Sequence, residues 1–159
     1  GGRVGGGSSA SAIAVTGAQA FDPTGDGREN DDRAPLVHDG DPSTTWRTEG
    51  YDDRDITRLK DKDGVGIVVT LERAAELARL EIDSPTNDWR ARIYVADAPA
   101  GDLAGWGEPV ATTEGLPAGT NEIDLGGARG SAVLVWIVDR GDAPGRAAAE
   151  IGEIRALGS

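Results

Sequence analysis

The sequence predicts an all-β domain, a two-sheet sandwich or jelly roll. Three observations predict it. Short apolar runs, most of them alternating with period two, recur along the chain at spacings of about 8–12 residues. Gly, Pro, Asn and Asp cluster between those runs, where turns need them. The most apolar run, Ala132-Val133-Leu134-Val135-Trp136-Ile137-Val138, is short and reads as a central strand.

The elements follow in order. Ala12–Thr16 alternates and forms a first strand. Ala20–Asp32 is acidic, broken by Pro and Gly, and cannot be a helix. Leu36-Val37-His38 leads into the turn Asp39-Gly40-Asp41-Pro42-Ser43-Thr44-Thr45-Trp46, and Trp46-Arg47-Thr48 starts a strand. Glu49–Asp63 is a charged surface loop, and Gly66–Leu71 is an apolar, β-branched strand. Glu72–Arg79 has helix-forming residues, yet Leu77–Asp83 alternates. A tight turn at Arg73-Ala74-Ala75 before a strand is the reading, with a short helix as the rival. Arg90–Asp97, Val110–Thr113 and Thr120–Leu125 are further strands. Ala148–Leu157 has helix-compatible spacing, but a kinked closing strand suits its neighbours better.

The length of 159 residues fits one domain with a tail: a flexible Gly/Ser-rich linker or tag remnant over residues 1–12 and a domain over 13–159. The absence of methionine implies a piece of a longer or processed chain. A net charge of -12 disfavours nucleic acid and anionic membranes as partners, since both would repel the domain. No apolar run approaches the ~20 residues of a membrane span. Without cysteine there is no disulfide and no thiol chemistry.

The sharpest local signal is Asp39–Trp46. Hard cations such as Ca²⁺ take several oxygens from carboxylates, carbonyls and hydroxyls. Asp39, Asp41 and Thr44 can wrap one ion, with Trp46 as a buried anchor. Alternatively, the two carboxylates cap the turn by accepting backbone N–H groups.

This segment resembles the Asp-Gly-Asp/Asn-x-x-Thr-x-Trp turn of discoidin-like domains, the coagulation-factor type C modules and their galactose-binding-like relatives. The resemblance implies a jelly-roll β-sandwich of about eight strands. It also implies a structural Ca²⁺ held by Asp39, Asp41 and Thr44, the last two through carbonyls, and by Glu153 in Ile151-Gly152-Glu153-Ile154-Arg155, with Glu150 as second choice. Phe21-Asp22-Pro23, Gly25-Asp26-Gly27, Glu29-Asn30, Trp46-Arg47-Thr48-Glu49 with Tyr51, Gly64-Val65-Gly66-Ile67 and Tyr94-Val95-Ala96-Asp97 are similar to a narrower group. That group is the C-terminal extracytoplasmic domain of actinobacterial MviN/MurJ-type lipid II flippase proteins, and related domains follow a single membrane span in some protein kinase-like proteins. It implies a binding domain outside the membrane, tethered to a membrane protein of cell-wall synthesis, with no transport activity of its own.

Other candidates are open to two readings. The acidic loop Asp22–Asp32 holds a second cation or is a solvated loop with Asx turns. Trp89, beside Arg90 at a turn-to-strand junction, either stacks on a sugar ring or caps the core edge. Trp106 reads either way, and Trp136 is core. Arg47, Tyr51, Arg54, Arg58 and Lys60 either bind an anionic ligand such as a peptidoglycan carboxylate or form a solvated face. The single histidine, His38, joins no evident triad, and no serine has a nucleophile-elbow setting. The expectation is therefore a non-enzymatic module that binds a cell-wall glycan or peptidoglycan precursor, with Arg47, Tyr51, Trp89 and Arg90 as contacts. The alternative is a protein–protein interaction domain that recruits envelope proteins.

Overall fold

The computed structural model describes residues 10–22, 30–41, 43–58 and 64–159. The linker expected over 1–12 lies outside the described residues as far as residue 9. Ser11 and Ala12 belong to a strand, so the fold starts slightly earlier than expected. Nine strands occur among the described residues: β1 (Ser11–Ile13), β2 (Val15–Phe21), β3 (Trp46–Arg47), β4 (Val65–Ser84), β5 (Arg90–Ala96), β6 (Ala111–Thr112), β7 (Gly119–Asp139), β8 (Glu150–Ile151) and β9 (Glu153–Gly158). Three short 3₁₀ helices cover Asp31–His38, Ile56–Arg58 and Ala104–Trp106. The architecture is the expected antiparallel sandwich.

β4 and β7 are long because each runs through both sheets. Their ladder begins at Val65↔Ile137 and ends at Ser84↔Gly119, with register shifts between Thr70 and Ala75 and between Leu77 and Arg79. The first half of β4 also pairs with β2, and its second half with β9. Neither the turn nor the helix weighed for Glu72–Arg79 is present. The strand bends through that stretch and continues. β7 bends opposite it, where Gly126 (φ 65°) and Gly127 (φ 82°) take the left-handed conformation that glycine tolerates.

One layer is therefore β2, the first half of β4, the second half of β7, β5 and β6. The other is β1, β9 and the remaining halves, with β3 and β8 paired alongside. The main core lies between them: Ile67, Val69, Val133 and Val135 from one layer meet Leu80, Ile82, Ile123 and Ile154 from the other. The alternate residues Val68, Leu134 and Trp136 point the opposite way and pack with Phe21, Tyr94 and Trp106 into a second cluster. The Phe21 ring lies edge-on to Trp136 at 5.8 Å and to Trp106 at 6.4 Å. That second cover explains why Val65–Val69 and Ala132–Ile137 are continuous apolar runs: both faces of the sheet are buried.

The kinked ending expected for the chain is present, as Gly152 separates β8 from β9. The 3₁₀ helix Asp31–His38 was not legible. It opens on charged residues and Pro35 sits inside it, yet Ala34 and Val37 reach the core.

The bend in β7 gives a test. A Cβ at Gly130 would sit 2.5 Å from the Ala96 carbonyl oxygen, a backbone atom that cannot step aside. Gly130→Ala is expected to destabilise the fold by ~1–3 kcal/mol in urea denaturation, and an unchanged midpoint would contradict this packing.

Candidate functional site

The β4–β7 bends lie at one pole of the sandwich. Several loops gather at the other, because β4 starts and ends there, whereas the β5–β6 connection leaves from Ala96 near the bends. Their backbone groups interlock. Tyr51 and Ala147 exchange N–H···O=C bonds of 2.8 and 3.1 Å, and Trp89 and Leu116 do the same at 3.3 and 2.7 Å. The Asp142 N–H donates to the Asn87 carbonyl.

Arg140 is the cation at the centre of this pole and is only 3% exposed. Among the described residues it pairs with no carboxylate. Its Nε donates to the Tyr51 carbonyl at 2.7 Å, Nη1 to those of Gly141 and Ala143, and Nη2 to those of Asp52 and Gly145. A guanidinium has five N–H donors, and here all five are used. The loops 51–52 and 141–145 are held together by this one side chain.

Beside it lies a polar depression of about 450 Å³, lined by Asn30, Arg33, Arg47, Thr48, Glu49, Gly50 and Arg146. The Asn30 side chain donates to the Arg47 carbonyl at 2.8 Å, tying the start of the 3₁₀ helix to β3. Thr48 is buried and accepts from the Ala149 N–H. Arg146 lies across Gly50, where an added Cβ would meet its Cγ at 3.1 Å. Arg33 and Arg47 form no ion pair among the described residues. Arg146 approaches Asp52 only at 3.9 Å, with both side chains mostly exposed, a pair worth little.

Of the ligand contacts expected from sequence, Arg47 is in this lining. Trp89 is not available, since it is fully buried in the main core, and the core-edge reading is the one that holds. Tyr51 is also buried and acts here through its backbone. Arg90 is exposed at the start of β5 but lies outside the lining. Arg54 is committed to Asp139 and Asp88 at 3.1 and 3.0 Å. Lys60 and the Arg58 side chain lie outside the described residues, as does most of the acidic loop Asp22–Asp32. Sequence reasoning missed Arg33 and Arg146, which carry no local pattern and join Arg47 only through tertiary pairing. All seven aromatic side chains are buried, none more than 8% exposed, so no ring is offered to a sugar face.

The Asp39–Trp46 turn meets the end of the chain as expected. Glu153 Oε1 accepts the Gly40 N–H at 2.9 Å. Asp39 accepts from the Asp41 N–H at 2.9 Å and from Thr44 Oγ1 at 2.5 Å, and Thr44 Oγ1 also bonds the Asp41 carbonyl. The Asp41 carboxylate instead turns back onto Ser43, so only its carbonyl faces the ring. Glu150 is engaged elsewhere, accepting from Thr45 Oγ1. Burial raises the Glu153 carboxyl above its ordinary value of 4.5, and the adjacent Asp39 carboxylate adds to this. Asp39 is held low, first by Thr44 Oγ1 and then by the Asp41 amide. The nearest guanidinium, Arg155, is spent on Asp83 at 2.9 and 3.0 Å and on Glu81 at 3.1 Å. Two carboxylates thus face each other short of positive charge. Only oxygen donors are present, which fits a hard cation such as Ca²⁺ and not zinc. Among the described residues no group of three or more His, Cys, Asp or Glu converges.

Two outcomes follow from this geometry. The stability that Glu153 contributes is complete below its ordinary value and is lost as pH rises through the raised one. Asp39 behaves oppositely, its contribution being lost on acidification below 3.8. In chelator, Glu153→Gln is therefore expected to gain stability over the parent between about pH 4 and pH 8, with no gain at the acid end; parallel curves would rule out the buried pair. Arg140→Met strips donors from five carbonyls and is expected to cost at least ~3 kcal/mol in denaturant titration. Arg140→Lys, with three donors, should fall between.

No family model matches the sequence. The fold matches solved structures over nearly its whole length. The CBM32 module of AlyQ, in complex with 4,5-unsaturated mannuronic acid, superposes with a TM-score of 0.67 at 11% identity, covering 92% of this chain and 97% of that one. Chitosan-binding module 2 of a chitosanase/glucanase from Paenibacillus sp. IK-5, in complex with chitotriose, gives 0.63 at 15% identity over 91% and 97%. CpGH89CBM32-6 from Clostridium perfringens gives 0.58 at 14% identity over 89% and 94%. This chain has the jelly-roll β-sandwich fold of these modules.

Proposed function

We propose that this chain is a non-catalytic carbohydrate-binding module whose ligand seats at the loop pole, in the depression around Arg47. The observation that carries the reading is that depression: polar, open and walled by arginines, on the fold of modules solved with a mannuronate and with chitotriose. The ligand is a cell-wall glycan or a peptidoglycan-related fragment, and the setting is extracytoplasmic, tethered to a membrane protein. The similarity of Trp46-Arg47-Thr48-Glu49 and its flanking motifs to the flippase-associated domains supports that setting, and the Gly/Ser-rich composition of residues 1–9 suits a tether.

Asp39, the Asp41 carbonyl, Thr44 and Glu153 hold a structural Ca²⁺ in this reading, which relieves the charge conflict of the carboxylate pair and pins the 3₁₀ helix to β9. An ion bound by the native state alone stabilises by mass action, ~2.7 kcal/mol at a hundredfold excess over its Kd. That corresponds to a rise on the order of 5–10 °C in melting temperature. Ca²⁺ should produce this rise in the parent and not in Asp39→Asn, with metal analysis excluding an ion carried through chelation. Equal melting with chelator and with Ca²⁺, in metal-free protein, counts against the ion.

Binding itself is tested by titrating amide spectra with chito-oligosaccharides and muropeptide-derived glycans. Shifts are expected at Thr48, Gly50 and 145–147 and not at the Gly126–Gly130 bend. Silence with every glycan at millimolar concentration would defeat the reading and favour a protein-recruiting role.

A further inference from the structure

We infer that the Arg33–Arg47–Arg146 depression selects a sugar that carries a carboxylate, over neutral sugars and over dense polyanions. This inference rests on the depression being the glycan site.

Sugar sites commonly gain affinity by laying an aromatic face against the pyranose ring. That route is closed here, because every aromatic side chain is packed in one of the two cores. The depression offers polar contacts only, and its strongest donors are guanidiniums. Arg33 and Arg47 have no carboxylate partner among the described residues, and the Arg146–Asp52 pair is long and exposed. Three other arginines are already engaged, Arg140 by carbonyls and Arg54 and Arg155 by carboxylates. Arg33, Arg47 and Arg146 share one lining, which concentrates positive charge there. A guanidinium fork matches a carboxylate in bidentate fashion, and such charge-assisted bonds exceed those to neutral hydroxyls. The chain's net charge of -12 sets a limit on the negative charge the site accepts, because a long polyanion meets net repulsion beyond these arginines. A single carboxylate on an oligosaccharide stays within that limit. A hexuronate and the lactyl group of a muramic acid present the same chemistry.

The test is calorimetric titration of the whole chain at low salt with trigalacturonate, its methyl ester, the GlcNAc–MurNAc disaccharide, chitobiose and heparin. At least one free acid should bind roughly tenfold or more tighter than its neutral counterpart, and which acid does so tells uronate from muramate. Arg47→Gln should remove most of that difference, weakening the free acid far more than its neutral counterpart. Arg47→Lys should recover part of it, and Arg33→Gln/Arg146→Gln should behave like Arg47→Gln. All three positions are exposed, and unchanged melting of each variant confirms folding. Equal affinity for acid and neutral forms, indifference to these substitutions, or heparin binding tighter than every small acid would overturn the inference while leaving a carbohydrate-binding module. Absence of binding by every glycan would overturn both.

Discussion

The ladder between β4 and β7 is the constraint on which the remainder of this molecule depends. Two strands of 20 and 21 residues bend together and so belong to both layers at once. The layers cannot slide apart without breaking that ladder. The bend has to be made where the chain can make it, at Gly126, Gly127 and Gly130 on one strand and by register shifts on the other. With the two halves fixed, apolar alternation places Ile67, Val69, Leu80 and Ile82 into a common interior. The outer face of the first layer is then closed separately by Phe21, Trp106 and Trp136.

The same ladder makes the two poles unlike. One pole is backbone bend, tightly packed. The other is loop, and loops bring polar groups that need partners. Arg140 answers much of that need with one buried charge and five carbonyl acceptors. This arrangement differs from a buried ion pair, which has two desolvated charges to compensate. It gathers many partial negative charges around one positive charge and leaves neighbouring arginines without a structural duty. The depression proposed as the ligand site lies beside it, where the scaffold's own electrostatics are already closed.

Sequence alone read much of this. The strands with continuous apolar runs were legible because both faces are covered, and the Asp39–Glu153 meeting was legible through the resemblance to discoidin-like turns. The bend in β4 was misread as a turn because Arg73-Ala74-Ala75 has no pairing pattern of its own; its partner, the glycine-rich bend of β7, supplies the reason it stays extended. Trp89 was ambiguous because a turn-flanking tryptophan looks the same whether the next loop covers it or not, and here Leu116 bridges to it. The lining of the arginine depression was the least legible part. Arg47 and Arg146 stand about a hundred residues apart, and only the Tyr51↔Ala147 bridge and the β3–β8 pairing bring them together.

β1 pairs with β9, Ser11 opposite Gly158, so the first and last described strands are hydrogen-bonded neighbours at the bend pole. Ala10 and Ser159 line one shallow hollow there. Any polypeptide joined at either side therefore leaves from the pole opposite the arginines. Such a domain hangs from a single point like a lamp on a cord, and its loop pole faces away whichever side carries the attachment. Insertion into a host loop and fusion at one terminus become geometrically equivalent, and neither covers the loops at the far pole.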